Sequence, residues 1–156
     1  MNPCRCGMAG EPGHSCSRGP RCQADYQGRI SGPLMDRIDI RIDVPAVTAQ
    51  DLINPQPAES SADVAARVAA ARSMQQARYR EIGRPDIRTN SQCSTSLIEQ
   101  VARPDQSGQA LLNDAAEKMR FSARAYHRIL KVARTLADLD GAETVSRIHL
   151  AESISY

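Results

Sequence analysis

Ser122-Ala123-Arg124-Ala125-Tyr126-His127-Arg128-Ile129-Leu130-Lys131-Val132-Ala133-Arg134-Thr135-Leu136-Ala137 reads as one amphipathic helix. Ser122 is the residue type that caps a helix amino terminus, because its hydroxyl accepts from a backbone N–H left unpaired in the first turn. Behind it, Tyr126, Ile129, Leu130, Ala133, Leu136 and Ala137 recur at the three- and four-residue spacing that lines one helical face. An apolar stripe of that width must be covered by other elements, so the segment predicts a helical domain built around it. Gly141 is placed to stop the helix.

The neighbouring sequence supplies the partners. Toward the carboxy terminus, Ser146 can cap a last helix whose Ile148, Leu150, Ala151 and Ile154 are apolar. Toward the amino terminus, one helix is predicted over about 107–119, and a shorter one from Ser94 or Ser96 to about Val101, closed by Pro104. A long helix follows from Ser60 or Ser61 to about Ile82, stopped by Gly83 and Pro85; Val64, Val68, Ala71, Gln75, Tyr79 and Ile82 share one face of it. Arg67, Arg72, Arg78 and Arg80 lie mostly around its other faces, where a solvated surface is the ordinary reading and contact with phosphates the special one. With one Phe, no Trp and 41% apolar residues, the core must be made of Ala, Val, Leu, Ile and Met, which suits helix-on-helix packing.

The first third of the chain is different. Residues 1–27 are rich in Gly, Pro, Cys and Ser without apolar periodicity, which predicts a loop or a metal-pinned knuckle. A helical turn over 33–37 would lead into residues 38–44, where Ile38, Ile40, Ile42 and Val44 alternate with polar residues as in a strand, and Pro45 ends the run. A single strand with one apolar face needs neighbours on both edges, and this chain barely supplies them. The expectation is therefore a mainly α protein: a helical domain preceded by one or two strands left over from a larger α/β core. Residues 1–45 form the remnant, 46–59 the linker with Asn54, Pro55 and Pro57, and 60–156 the helical domain.

Cys4, Cys6, Cys16 and Cys22 follow the pattern C-x-C, then C-x5-C, and offer the four thiolates that close a tetrahedral Zn²⁺ site. Nearby glycines and prolines let the backbone fold back around an ion. The spacings depart from the common C-x2-C to C-x4-C, so reduced thiols without an ion and a disulfide pair stand as alternatives, and His14 can replace Cys22 as a ligand. Four soft ligands leave no open position for water, so a zinc ion here would be structural. Cys93, far from the cluster, is expected to pack as a small apolar residue.

A net charge of +2 announces neither a nucleic-acid nor a membrane surface. Eighteen of the twenty basic residues are arginines, whose planar fork suits phosphate, though GC-rich codon usage would produce the same excess along with the abundant alanine. No apolar run is long enough to span a bilayer and no signal segment is visible, which predicts a cytoplasmic protein with reduced thiols. No G-x-x-x-x-G-K-[ST] occurs, and no apolar strand ends in an acidic pair suited to Mg²⁺.

Three stretches resemble one family in the right order: Met-Asn-Pro-Cys-Arg-Cys-Gly at 1–7, Ser-Gly-Pro-Leu-Met-Asp-Arg-Ile-Asp-Ile at 31–40, and residues 122–135 of the helix quoted first. They are similar to the ComM-type, or YifB-type, magnesium-chelatase-like AAA+ ATPases, and the likeness spans essentially the whole chain. The resemblance implies the carboxy-terminal part of such an ATPase, with residues 60–156 as the lid. It implies that Asn2 occupies the sensor-1 position, Arg37 the arginine finger acting on a neighbouring subunit's nucleotide, and Arg124 sensor 2. It also implies a hexameric ring of AAA+ subunits, ATP and Mg²⁺ bound only together with a missing amino-terminal part, and DNA as the object of a motor used in competence and recombination. Many relatives place the closing cysteine pair nearer together than Cys16 and Cys22, which bears on the fourth zinc ligand.

The local chemistry offers plainer readings beside these. Asn2-Pro3 can be a turn, Arg37 can pair with Asp25, Asp36 or Asp39, and Arg128 or Arg134 can be mistaken for the sensor. His127 reads as a partly buried helix residue with no carboxylate spaced to partner it. Lacking both nucleotide-binding motifs, the chain should not hydrolyse ATP alone. The rival from another class is a stand-alone zinc-knuckle helical adaptor that binds nucleic acid or protein without catalysis; a third reading is a regulator that joins rings of an intact ATPase and donates Arg37. Met1 falls where the family is in mid-domain, so a shortened gene, a misassigned start and a deliberate truncation are all compatible.

Overall fold

The computed structural model describes residues 4–7, 9, 16, 18–19, 21–35, 37–44, 47, 52–54 and 58–156. The chain divides into two compact units, Met1–Gln56 and Pro57–Tyr156.

In the first unit two tight turns present cysteines. Gly7 N–H donates to Cys4 O at 3.1 Å and Gly19 N–H to Cys16 O at 3.0 Å, and both glycines take φ of 80°, a left-handed conformation that a side chain would strain. Helix α1, Arg21–Gln27, follows the second turn and buries Cys22. The sequence reading placed a loop there, because seven residues without an apolar stripe give no periodic signal. Helix α2 is the single turn Gly32–Met35, where a turn was expected. Residues 38–44 pair with no strand among the described residues, and Ile42 and Val44 are 68% and 84% exposed. The strand expected there is thus not formed: the alternation is present, but the neighbouring strands that would satisfy its backbone are not among the described residues.

The second unit is helical throughout. Helix α3 is Ser61–Glu81, α4 Thr95–Val101, α5 Gln106–Met119, α6 Ala123–Leu139 and α7 Arg147–Ser155, with a 3₁₀ turn at Asn90–Gln92. Side-chain caps set most starts: Ser60 accepts from Asp63 N–H, Ser94 from Leu97 N–H, Asp105 from Gly108 N–H and Ser122 from Ala125 N–H. Helix α5 begins at Gln106 behind the Asp105 cap, close to the expected start near Ser107. Gly83 at φ 76° and Gly141 at φ 69° end α3 and α6 as the sequence predicts.

Helix α6 is central and packs on α3, α4, α7 and the 3₁₀ turn, while α5 packs on α7. Its Ile129, Leu130, Ala133 and Ala137 join Leu97, Ile98, Leu112, Val145 and Leu150 in one core. Helix α3 contributes only its second half: Ala71, Gln75 and Tyr79 are buried, whereas every residue from 61 to 70 is exposed. Val64 and Val68, expected on the buried face, are 38% and 42% exposed.

The core encloses a polar network. Asp138 of α6 is 1% exposed and accepts from Arg134 Nε at 3.0 Å, from Asn90 Nδ2 at 2.8 Å and from both terminal nitrogens of Arg78. Arg134, itself 1% exposed, also donates to Glu143 O at 2.8 Å and Ala142 O at 2.6 Å, which fixes the α6–α7 connection. Tyr79 OH donates to Asn90 Oδ1 at 2.6 Å, and Cys93 Sγ lies 3.0 Å from Tyr79 OH. No buried side-chain polar atom among the described residues lacks a partner. Burial opposes ionisation of Asp138, but hydrogen bonds from Arg78 and Asn90 and the charge of Arg134 outweigh it and hold the carboxyl below the usual carboxylate range.

Asp138→Ala is expected to cost about 3–5 kcal/mol in urea denaturation, because it strands the guanidinium of Arg134 in the core. The sign of the pH effect follows from a depressed folded-state value. The stabilisation from Asp138 is present above the unfolded carboxyl pKa of about 4 and is lost as pH falls through the lower folded-state value. Denaturation of the variant, followed by circular dichroism, should lack that part of the acid limb.

Candidate functional site

The four cysteines of the first unit converge. Cys4 Sγ lies 3.1 Å from Cys6 Sγ, Cys6 Sγ lies 3.0 Å from Cys16 Sγ, and all four sulfurs including that of Cys22 are within 4.8 Å of one another. Tetrahedral Zn–S bonds of about 2.3 Å put sulfurs about 3.8 Å apart, inside this range. The turns at Gly7 and Gly19 and the first turn of α1 bring the ligands together, so the wide C-x5-C spacing is absorbed by one turn followed by a helix start. Cys4 and Cys22 are buried and Cys6 is exposed. The hydrogen bond with Cys6 pushes the Cys16 thiol up to about 12, against a smaller opposing effect of the Arg18 backbone. Four thiols and no carboxylate in the group form a donor set that can hold a soft divalent cation. His14, weighed as an alternative ligand, lies outside the described residues, as do Asn2 and Asp36.

Arg37 follows α2, is exposed, and donates from Nη1 to Pro33 O at 2.9 Å; it forms no ion pair with Asp25 or Asp39. In the second unit Arg124 stands in the first turn of α6, two residues past its cap. It is exposed, and its guanidinium makes no hydrogen bond or ion pair among the described residues. The amino end of α6 directs backbone N–H groups and the positive end of the helix dipole to the same side, a setting suited to an anion. The other arginines of α6 are differently engaged: Arg128 is half-buried and has a partner, and Arg134 is built into the core.

His127 is half-buried, as expected, but it does have a carboxylate partner. Its Nε2 lies 2.8 Å from Glu99 Oε1 of α4 and its Nδ1 lies 2.6 Å from Ala123 O. A pairing across 28 residues of sequence carries no local spacing signal. Sequence reasoning likewise missed the Asp138 network, whose members come from α3, the 3₁₀ turn and α6. Cys93 is buried as expected, with the phenol of Tyr79 for a neighbour.

Residues 58–156 match the family described as magnesium chelatase, subunit ChlI C-terminal, and residues 1–52 match the one described as magnesium chelatase, subunit ChlI. The chain is similar to competence protein ComM of Haemophilus influenzae, at 37% identity over 132 residues, covering 84% of this chain and 25% of that protein. It is 32% identical over 152 residues to the uncharacterized protein YifB of Escherichia coli, covering 92% of this chain and 28% of the relative. An uncharacterized protein of Mycobacterium tuberculosis is 32% identical over 155 residues, 99% of this chain and 30% of its own length. The chain thus spans between 25% and 30% of the length of these relatives. No helix among the described residues is long and apolar enough to cross a membrane.

The contrast between free and built-in arginines is measurable. Arg37→Ala and Arg124→Ala are expected to leave unfolding free energy within about 0.5 kcal/mol of the parent, as exposed substitutions do. Arg134→Ala should lose about 3 kcal/mol or more by leaving Asp138 short of a partner. A large loss of stability in Arg124→Ala would place that residue among the structural arginines.

Proposed function

Because this chain belongs to the magnesium chelatase subunit ChlI family, we propose that it acts as the sensor and lid part of a ComM-type AAA+ ATPase, a ring motor working on DNA in the cytoplasm. The observation that carries the reading is the place of Arg124, exposed and without a side-chain partner among the described residues, in the first turn of the central helix. In this reading residues 1–45 belong to the α/β core and residues 60–156 are the lid, which closes over ATP held by a phosphate loop elsewhere in the subunit. Arg124 meets the terminal phosphates from the lid, so closure and charge neutralisation are one event. Arg37 meets the γ-phosphate of the adjacent subunit in a hexameric ring and offsets the charge that develops as the phosphoryl group leaves. Asn2 orients the attacking water. Mg²⁺ bound with the nucleotide would neutralise phosphate charge, and no acidic pair at the end of an apolar run in this sequence would ligate it.

A chimera tests this. The present chain would replace the matching 25% of Haemophilus influenzae ComM, and ATP turnover would be followed by phosphate release. Arg37→Ala is expected to lower turnover on the order of 10³-fold and Arg124→Ala on the order of 10²-fold. Full turnover by an Arg37→Ala chimera would remove the finger from the account.

Cys4, Cys6, Cys16 and Cys22 are proposed to hold a structural zinc ion, which supplies a cross-link to a unit with little apolar core of its own. Purified chain should carry about one zinc per molecule. Chelation should free four thiols while residues 57–156 keep their helical circular dichroism, since that unit has its own core. A metal-free preparation with four reactive thiols would end the zinc assignment. The same cluster favours one second reading, a knuckle-bearing adaptor without catalysis; metal binding together with a chimera that cannot hydrolyse ATP would support it.

A further inference from the structure

A cavity of about 480 Å³ in the first unit opens beside the cysteine cluster, lined by Arg5, Arg18, Cys22, Asp25, Tyr26 and Arg29. Three separate segments supply its guanidinium groups. Arg5 rides on the turn closed by Gly7, Arg18 on the turn closed by Gly19, and Arg29 on the turn after α1, whose N–H donates to Tyr26 O at 3.4 Å. Among the described residues none of the three is paired with a carboxylate, and Asp25 is the one acidic residue in the lining. Four arginines elsewhere pair with acids, Arg67 with Glu59, Arg78 and Arg134 with Asp138, and Arg84 with Asp86, while others such as Arg37 and Arg124 stay exposed without one. What distinguishes this place is convergence: three exposed arginines from three segments meet around one cavity.

We propose that this cavity binds one nucleotide unit of a single-stranded nucleic acid, with Arg5, Arg18 and Arg29 on the phosphates and Tyr26 as the surface on which a base stacks. The volume matches a single nucleotide better than a folded partner surface. Arginine forks take phosphate oxygens in pairs. Tyr26 is half-buried, so its ring is held in place while part of it stays accessible. A base lying on a fixed aromatic ring between phosphate-binding arginines is the usual chemistry of strand binding without sequence preference. The inference deepens the DNA part of the function proposed above by giving the strand a place in the first unit. The rival for the same residues is counter-charge: four thiolates around a divalent cation carry a net charge of −2, which nearby arginines would offset.

Fluorescence anisotropy of a labelled oligothymidylate with the full chain distinguishes these. Arg18→Ala and Arg29→Ala should each weaken binding on the order of tenfold and reduce the slope of log affinity against log salt by about 0.7. Tyr26→Ala should weaken it on the order of tenfold, and Tyr26→Phe should retain affinity because the stacking face is kept. Arg84→Ala, whose charge is paired with Asp86, should have no effect. Two outcomes overturn the proposal: equal weakening by Arg84→Ala, or equal competition by oligo-aspartate. Loss of metal affinity in Arg18→Ala and Arg29→Ala with unchanged oligonucleotide binding would assign these residues to charge balance and overturn it as well. Binding is read without ATP turnover, so an inactive chimera and a failed anisotropy titration point to different errors.

Discussion

One buried carboxylate ties the central helix of the helical unit to its neighbours. Asp138 takes hydrogen bonds from Arg78 of α3, Asn90 of the 3₁₀ turn and Arg134 of its own helix, so a single buried charge joins three segments far apart in sequence. Its desolvation is offset only if all donors are in place. Apolar contact is not directional, whereas the fork of Arg78 on Asp138 is, so the pair fixes the setting of α3 against α6. The network thus selects one arrangement from several that hydrophobic burial alone permits. It burdens the two guanidinium groups differently: burial lowers the pKa of Arg134, and Arg78, where burial acts in the same sense, is raised by its bonds to Asp138.

That arrangement leaves Arg124 where it is. Helix α6 is fixed in its middle and carboxy-terminal half by Ile129, Leu130, Arg134 and Asp138, while its first turn stays at the surface. A rigid helix with a free, charged amino end is a suitable pointer for a lid, because motion of the whole unit carries the guanidinium with it. In the first unit the corresponding constraint is chemical. Two glycine turns and the start of α1 gather four sulfurs, and those turns also carry Arg5 and Arg18. The arginines around the cavity are therefore placed by the same local geometry as the cysteines.

Elements with a local signature were legible in the sequence. Ser60, Ser94, Ser122 and Ser146 mark helix starts, Gly83 and Gly141 mark ends, and the stripe from Tyr126 to Ala137 identifies the central helix, because capping and periodicity act within a few residues. The cysteine cluster was legible from ligand count. What escaped depends on distance along the chain. The Arg78–Asp138 pair spans 60 residues and the His127–Glu99 pair spans 28, and nothing in residue type tells a buried arginine from a solvated one. Helix α1 escaped because seven residues hold too few apolar positions to show a period. The alternation over 38–44 was read correctly as a pattern, but a pattern becomes a strand only when other strands accept its backbone.

The exposed first half of α3 has a mechanical consequence. From residue 61 to 70 the helix is a cantilever, clamped at Ala71, Gln75 and Tyr79 and held beyond that point by its Ser60 cap, its own backbone bonds and the intrinsic helicity of five alanines. A stretch this short is only marginally helical by itself. It can therefore fray and re-form without disturbing the clamp, so the start of the helical unit is a compliant segment whose stiffness is set by propensity instead of packing.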